Sequence, residues 1–193
     1  MLESLFIPVL LNPNQGLSLS GGVAVGLIEE LCKIVAVAFM ARGMRHTAPM
    51  DGLLLGAAVG MGFAAFESTG YAFTAFVATN GHVVALIAET ILRGVIAPFG
   101  HSIWTAILAA VLFRESRPHH FRITGLVIVT YLFVSLLHGF WDGLPRTIYL
   151  LVPPGFHILL VTLALSVIGI VVFAVIYRRA TVQTISPPTP VNP

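Results

Sequence analysis

From about Leu17 to Met40 the chain is apolar except for Glu29, Glu30, Lys33 and a few small polar residues. About 20 apolar residues cross the hydrocarbon core of a bilayer as one helix, so a run of this length is a membrane span. An acid or base at the bilayer centre costs about 2.5–3.5 kcal/mol on insertion scales. A span that keeps two adjacent glutamates and a lysine is therefore using them. At helical spacing Glu29 and Lys33 are four residues apart and can pair. Glu30 shares a face with Gly22 and Gly26, which would admit a neighbouring helix at close range with Glu30 aimed into the contact. On this spacing Glu30 faces a site most directly and Lys33 holds Glu29.

The rest of the chain has the same character. It is 57% hydrophobic and 9% charged, against about 25% charged residues in a soluble domain. The formal net charge of +2 is small and the basic residues collect in short loops. That distribution points to membrane topology and away from nucleic acid. The single cysteine, Cys32, excludes an internal disulfide and reads as a packing residue. Met1–Leu11 is short and apolar, ends at Asn12-Pro13-Asn14, and lacks the basic start of a cleavable signal peptide. It is read as an interfacial helix or the remnant of a longer region.

The spans fall at about 17–41, 52–79, 94–113, 123–144 and 156–177, with Asn80-Gly81 as a turn. Gly52, Gly56 and Gly60 open the second with a doubled small-xxx-small pattern for tight packing. Arginines cluster at 42–45, 114–122 and 178–179. All three clusters lie on the cytoplasmic side only if 82–93 does not cross the membrane. The expected fold class is all-α: a polytopic transmembrane helix bundle of about five spans plus a short re-entrant or interfacial helix. Residues 1–180 form one domain with its motif core at about 20–145, and the proline-rich 181–193 reads as a disordered tail.

Within this topology the polar residues of the spans come to one depth, in the outer half of the membrane: Glu29, Glu30, Glu67, His101 and His138. Thr105 follows His101, and Asp142 follows His138, each one helical turn on. Three carboxylates and two histidines together form a hydrolytic set. A carboxylate can take a proton from water. Glu67, His101 and His138 offer the ligands of a divalent metal that would acidify that water, zinc first among the candidates. Asp142 would orient His138, and Lys33 would hold and tune the glutamates. A glutamic mechanism needs no metal, and both stay open. Glu89 and Arg93 read as a salt-bridged i,i+4 face, His119 and His120 as loop residues, and His46, His82 and His157 as interfacial. Trp104 and Trp141 fit packing near the site or an aromatic belt.

Glu29-Glu30-x-x-Lys33, Phe63-x-x-x-Glu67, His101-x-x-x-Thr105 and His138-x-x-x-Asp142, in this order inside hydrophobic spans, resemble the PrsW family of intramembrane proteases. That family is related to the CAAX prenyl protease and bacteriocin-processing superfamily. Relatives in the superfamily carry EExxxR and FxxxH; here Lys33 comes one residue earlier and Glu67 replaces histidine, as in the PrsW branch. The resemblance implies a membrane-embedded endopeptidase, metal-dependent or glutamic, that cuts single-pass membrane proteins such as an anti-sigma factor. It implies an integral, multi-pass protein of a bacterial cytoplasmic membrane, with catalytic roles for Glu29, Glu30, Glu67, His101 and His138. Two other readings use the same residues: a proton-coupled transporter, and a non-catalytic membrane scaffold of the same fold.

Overall fold

The computed structural model describes residues 17–44, 48–148 and 156–185. Helix α1 spans Leu19–Met40, α2 Pro49–Ala78, α3 Val83–Ile96, α4 His101–Glu115, α5 Gly125–Ile148 and α6 Phe156–Ile185. There is no strand among them, and the fold is an all-α bundle. Local chemistry sets the ends. The Ser18 side chain caps α1 by accepting from Gly21 N at 3.1 Å. Pro49 opens α2, where its missing N–H is of no consequence. Asn80 and Gly81 both take positive φ, +55° and +88°, and turn the chain back on itself. Pro98 lies in a 3₁₀ turn, Ala97–Phe99, that separates α3 from α4.

Two antiparallel helix pairs build the core, and glycines set both contacts. A Cβ on Gly56 would lie 2.6 Å from the Thr105 carbonyl oxygen, and one on Gly52 would lie 2.6 Å from that of Ala109. Gly60 meets the His101 carbonyl in the same row. The α2–α4 backbones therefore touch along a stripe only glycine permits. Gly22 and Gly26 do the same for α1 against Ser135, Gly139 and Gly143 of α5. Both stripes stand where the small-residue spacing places them. Helix α4 is apolar on all sides and buried from Trp104 to Phe113, which makes it the central helix. Trp104, Leu108 and Val134 anchor the main apolar cluster.

Residues 49–78, 83–115, 125–144 and 160–182 are long and apolar enough to cross a membrane. Helix α1 is 22 residues long, and its three charged residues alone set it apart from those four. The protein is an integral membrane protein. Segment 83–96 does not stand apart as an independent crossing. It continues α4 beyond the 3₁₀ turn, so that 83–115 runs back along α2 as one long arm. No residue of α3 is buried, because among the described residues α2 is the only long helix packed along it. The start of α2 and the far ends of α4 and α6 come together around one cavity lined by Pro49, Arg114, Arg178 and Arg179. A second cavity joins Arg42 to His119. The three basic segments thus share one end of the bundle, as the cytoplasmic assignment requires.

Two boundaries move, and one packing assignment changes. Helix α5 continues past residue 144 to Ile148, and α6 continues through 181–185, which composition assigned to the tail. Cys32 is exposed on the outside of α1 rather than packed. Met1–Leu11, Arg45, His46, the loop prolines 153–154 and residues 186–193 lie outside the described residues, as does the His157 side chain.

Candidate active site

The glycine contacts leave a polar pocket of side chains at one level of the bundle. Helix α1 brings Glu29, Glu30 and Lys33; α2 brings Glu67; α4 brings His101 and Thr105; α5 brings His138 and Asp142. At 1.5 Å per residue the cluster lies about 15–21 Å from the basic ends of α1, α4 and α5. In a hydrocarbon layer about 30 Å thick this is the middle to outer half. Every site residue singled out in the sequence belongs to this one connected cluster.

Lys33 is its hub. Its ammonium donates to Glu30 Oε1 at 2.8 Å, sits 3.4 Å from Glu29 Oε2 and 2.8 Å from His101 Nδ1. It also lies 4.2 Å from the centre of the Phe63 ring. An ammonium has only donors, so His101 Nδ1 accepts and the His101 proton is on Nε2. That N–H donates to Glu67 Oε2 at 3.0 Å. The same Glu67 oxygen takes the Arg93 guanidinium at 2.8 Å.

Glu30 is fully enclosed. Its Oε1 also receives His138 Nδ1 at 2.9 Å, and its Oε2 lies 3.5 Å from Thr105 Oγ1. With the His138 proton on Nδ1, Nε2 keeps its lone pair. That nitrogen is 3.5 Å from Glu29 Oε2 and 3.5 Å from Asp142 Oδ2. Asp142 lies one turn on from His138, but an unprotonated Nε2 offers its carboxylate no N–H; the bond from Nδ1 to Glu30 is what orients the ring.

The two glutamates differ from the spacing-based reading. Glu30 does face the glycine contact, but the contact encloses it and Lys33 holds it more closely than Glu29. Glu29 has the more open position: its side chain is 11% exposed, against 0% for Glu30. The i,i+3 pair is the shorter because Glu30 and Lys33 both turn inward, between α4 and α5.

The metal ligand set shifts as well. Among the described residues the group whose ligand atoms converge, within 4.8 Å of one another, is Glu29, His101 and His138. Glu67 was expected in this set; its carboxylate is instead taken up by His101 and Arg93. Two histidines and a carboxylate are a donor set that suits catalytic zinc, and the bare Nε2 of His138 between two carboxylates is a place for a cation. The residues present fit a metal, with one condition: the His101 lone pair now rests on Lys33.

Arg93 is the site residue the sequence did not disclose. It reaches back from α3 to Glu67 and sits over Tyr71, with Cζ 3.8 Å from the ring centre, instead of pairing with Glu89. Trp104 packs against the histidines, 5.4 Å from the His138 ring and 5.5 Å from that of Trp141. These tryptophans wall the site and are no membrane belt.

The profile of the PrsW family of intramembrane metalloproteases matches residues 1–182, nearly the whole chain. The chain belongs to the PrsW family. The family's description as intramembrane metalloproteases agrees with the donor set that Glu29, His101 and His138 bring together. No curated protein and no solved structure matches the chain.

Proposed function

We propose that this PrsW-family protein is an endopeptidase whose Glu29 activates the water that hydrolyses a peptide bond of a single-pass membrane protein. One observation carries the choice of Glu29: of the two adjacent glutamates, it is the one with an exposed edge, and it faces the lone pair of His138. Glu29 takes a proton from water as the oxygen adds to the scissile carbonyl carbon. The carbon–nitrogen bond then breaks, and the proton passes to the departing amine. Glu30 accepts from Lys33, His138 and Thr105, so it fixes the three groups around the reaction and does not itself turn over. Lys33 brings positive charge to a place where negative charge develops. Glu67 keeps the His101 proton on Nε2. In the metal-assisted alternative Glu29, His101 and His138 would hold a divalent ion, with Lys33 withdrawn from His101 Nδ1; the ion would then acidify water in place of the free Glu29 base, and zinc suits these donors.

Entry is from the side of Glu29 and Asp142, whose side chains are 11% and 21% exposed while His138 is 2% exposed. A site enclosed within a bundle at this depth admits substrates that are themselves in the membrane. A single-pass protein of a bacterial cytoplasmic membrane, with an anti-sigma factor as one instance, has that form.

The test is purification in detergent, metal analysis, and cleavage of a panel of single-pass reporter proteins. Wild type should cleave at least one reporter, and Glu29→Gln should reduce the rate by about 10²–10⁴-fold, the usual loss on removing a general base. Stoichiometric zinc in wild type, lost in His138→Ala, supports the metal-assisted form. Chelator-resistant cleavage by metal-free protein would assign the reaction to the glutamates alone. Wild-type rates from a correctly inserted Glu29→Gln protein would refute the assignment.

A further inference from the structure

The far end of α4 carries a second polar feature that peptide hydrolysis does not use. A cavity of about 530 Å³ opens there between α4, α6 and the start of α2. Along α4 it lies roughly 20 Å from His101, so it is no part of the carboxylate cluster. Its lining has two chemistries. Val111, Ile176 and Val182 present apolar side chains, while Arg114, Arg178 and Arg179 bring guanidinium groups. Arg114 is paired with Glu115 at 3.1 Å. No ion pair holds Arg178 or Arg179 among the described residues.

This end of the bundle is the basic one, where positive-inside topology puts the headgroups of the cytoplasmic leaflet. Val111 and Ile176 precede the arginines on α4 and α6 and form the wall on the membrane side of the guanidinium groups, while the exposed Val182 lies one turn beyond them at the mouth. Arginines that only set topology need no cavity; here they border one whose other walls are apolar. Guanidinium groups match phosphate oxygens in a bidentate fork. Basic pockets between helices on the cytoplasmic side hold anionic headgroups. The ligand that satisfies both walls has a phosphodiester at one end and a hydrocarbon tail at the other.

We propose that this cavity binds an anionic phospholipid, with its phosphate on Arg178, Arg179 and Arg114 and an acyl chain along Val111 and Ile176. The bound lipid ties α6 to the end of α4. The two helices meet α2 through Leu53, Ala106, Ala110 and Ala180; Ala110 and Ala180 also border the cavity, and their methyl groups leave it open.

Native mass spectrometry of the full chain in detergent reads binding directly. The probes are phosphatidylglycerol, phosphatidylcholine of identical acyl chains, and inorganic phosphate alone. Wild type should retain one phosphatidylglycerol in preference to phosphatidylcholine. Each arginine near an anionic headgroup contributes about fivefold, so Arg178→Gln/Arg179→Gln should weaken retention by about 25-fold. Arg178→Lys/Arg179→Lys should retain the lipid, and Val182→Trp, which crowds the mouth of the cavity and leaves the charges, should lose it. Should the double Gln variant fail to fold, the Val182→Trp result decides. Arg117→Gln/Arg122→Gln, on the same side of the membrane but outside the cavity, should change nothing. Equal retention of phosphatidylcholine would overturn the proposal. So would equal loss in the Arg117/Arg122 variant, which would indicate diffuse attraction. Inorganic phosphate binding as tightly as the lipid would make this a phosphate site and refute the lipid assignment.

Discussion

A single ammonium group organises the candidate active site. Lys33 touches both glutamates and His101, so Lys33→Met leaves two carboxylates facing each other in a buried pocket. Breaking a buried ion pair by removing one partner costs about 3–5 kcal/mol. The variant should insert poorly or melt far below wild type, measured by detergent thermal shift. From spacing alone Lys33 pairs with Glu29 and tunes the glutamates. The difference lies in His101, 68 positions away in sequence, which no helical spacing connects to Lys33. Arg93 makes the same point. The i,i+4 rule pairs it with Glu89, whereas its partner Glu67 is brought near by the Asn80-Gly81 turn. Glu89→Gln should therefore leave the cleavage rate within about twofold, as for surface changes. Arg93→Gln should lower it by about 10–100-fold, the range for groups that orient a catalytic histidine through a carboxylate. Steady-state cleavage of one reporter by both variants checks this. The set of site residues was legible because acids and histidines inside apolar spans need a reason. Which glutamate is enclosed was not legible, because enclosure depends on two other helices at once.

Between elements, glycine decides. The sequence pattern of Gly52, Gly56 and Gly60 could be read directly, because small residues four apart have one common use in membrane helices. What the pattern could not name was the partner, α4. Gly56→Ala and Gly26→Ala force Cβ atoms into the Thr105 and Ser135 carbonyls. Overpacking of this kind costs about 1–3 kcal/mol, and it should move the helices that carry His101 and His138. Gly62→Ala meets nothing within 4 Å and should be neutral or slightly stabilising. Melting temperature and reporter cleavage, measured together, separate the two classes. Helix α3 was the ambiguous stretch because its composition suits a span, an interfacial helix or an extension equally. Only its place along α2 decides among them.

For the molecule as a whole, the basic segments at one end and the Asn80-Gly81 turn at the other set the orientation. Cysteine labelling in a Cys32→Ser background should find position 80 reachable from outside intact cells and position 117 only after permeabilisation. Equal access from one side would reverse or break the five-crossing arrangement. The charged groups gather at one level and do not form a file from face to face. That is the layout of a reaction chamber and not of a proton path, in keeping with the family to which the chain belongs.

Helices α2 and α6 are each 30 residues long, about 45 Å, in a layer whose hydrocarbon is about 30 Å thick. Phe73 and Val77, 63% and 57% exposed, keep α2 apolar almost to its last turn. Surplus greasy length of this kind is relieved by tilting the helix or by drawing the surrounding lipid chains taut, at a fraction of a kcal/mol per Å. The tilt of the α2 hairpin is therefore expected to follow bilayer thickness. A thick bilayer lets the long hairpin stand upright, and a thin one makes it lean, carrying Glu67 and Arg93 with it.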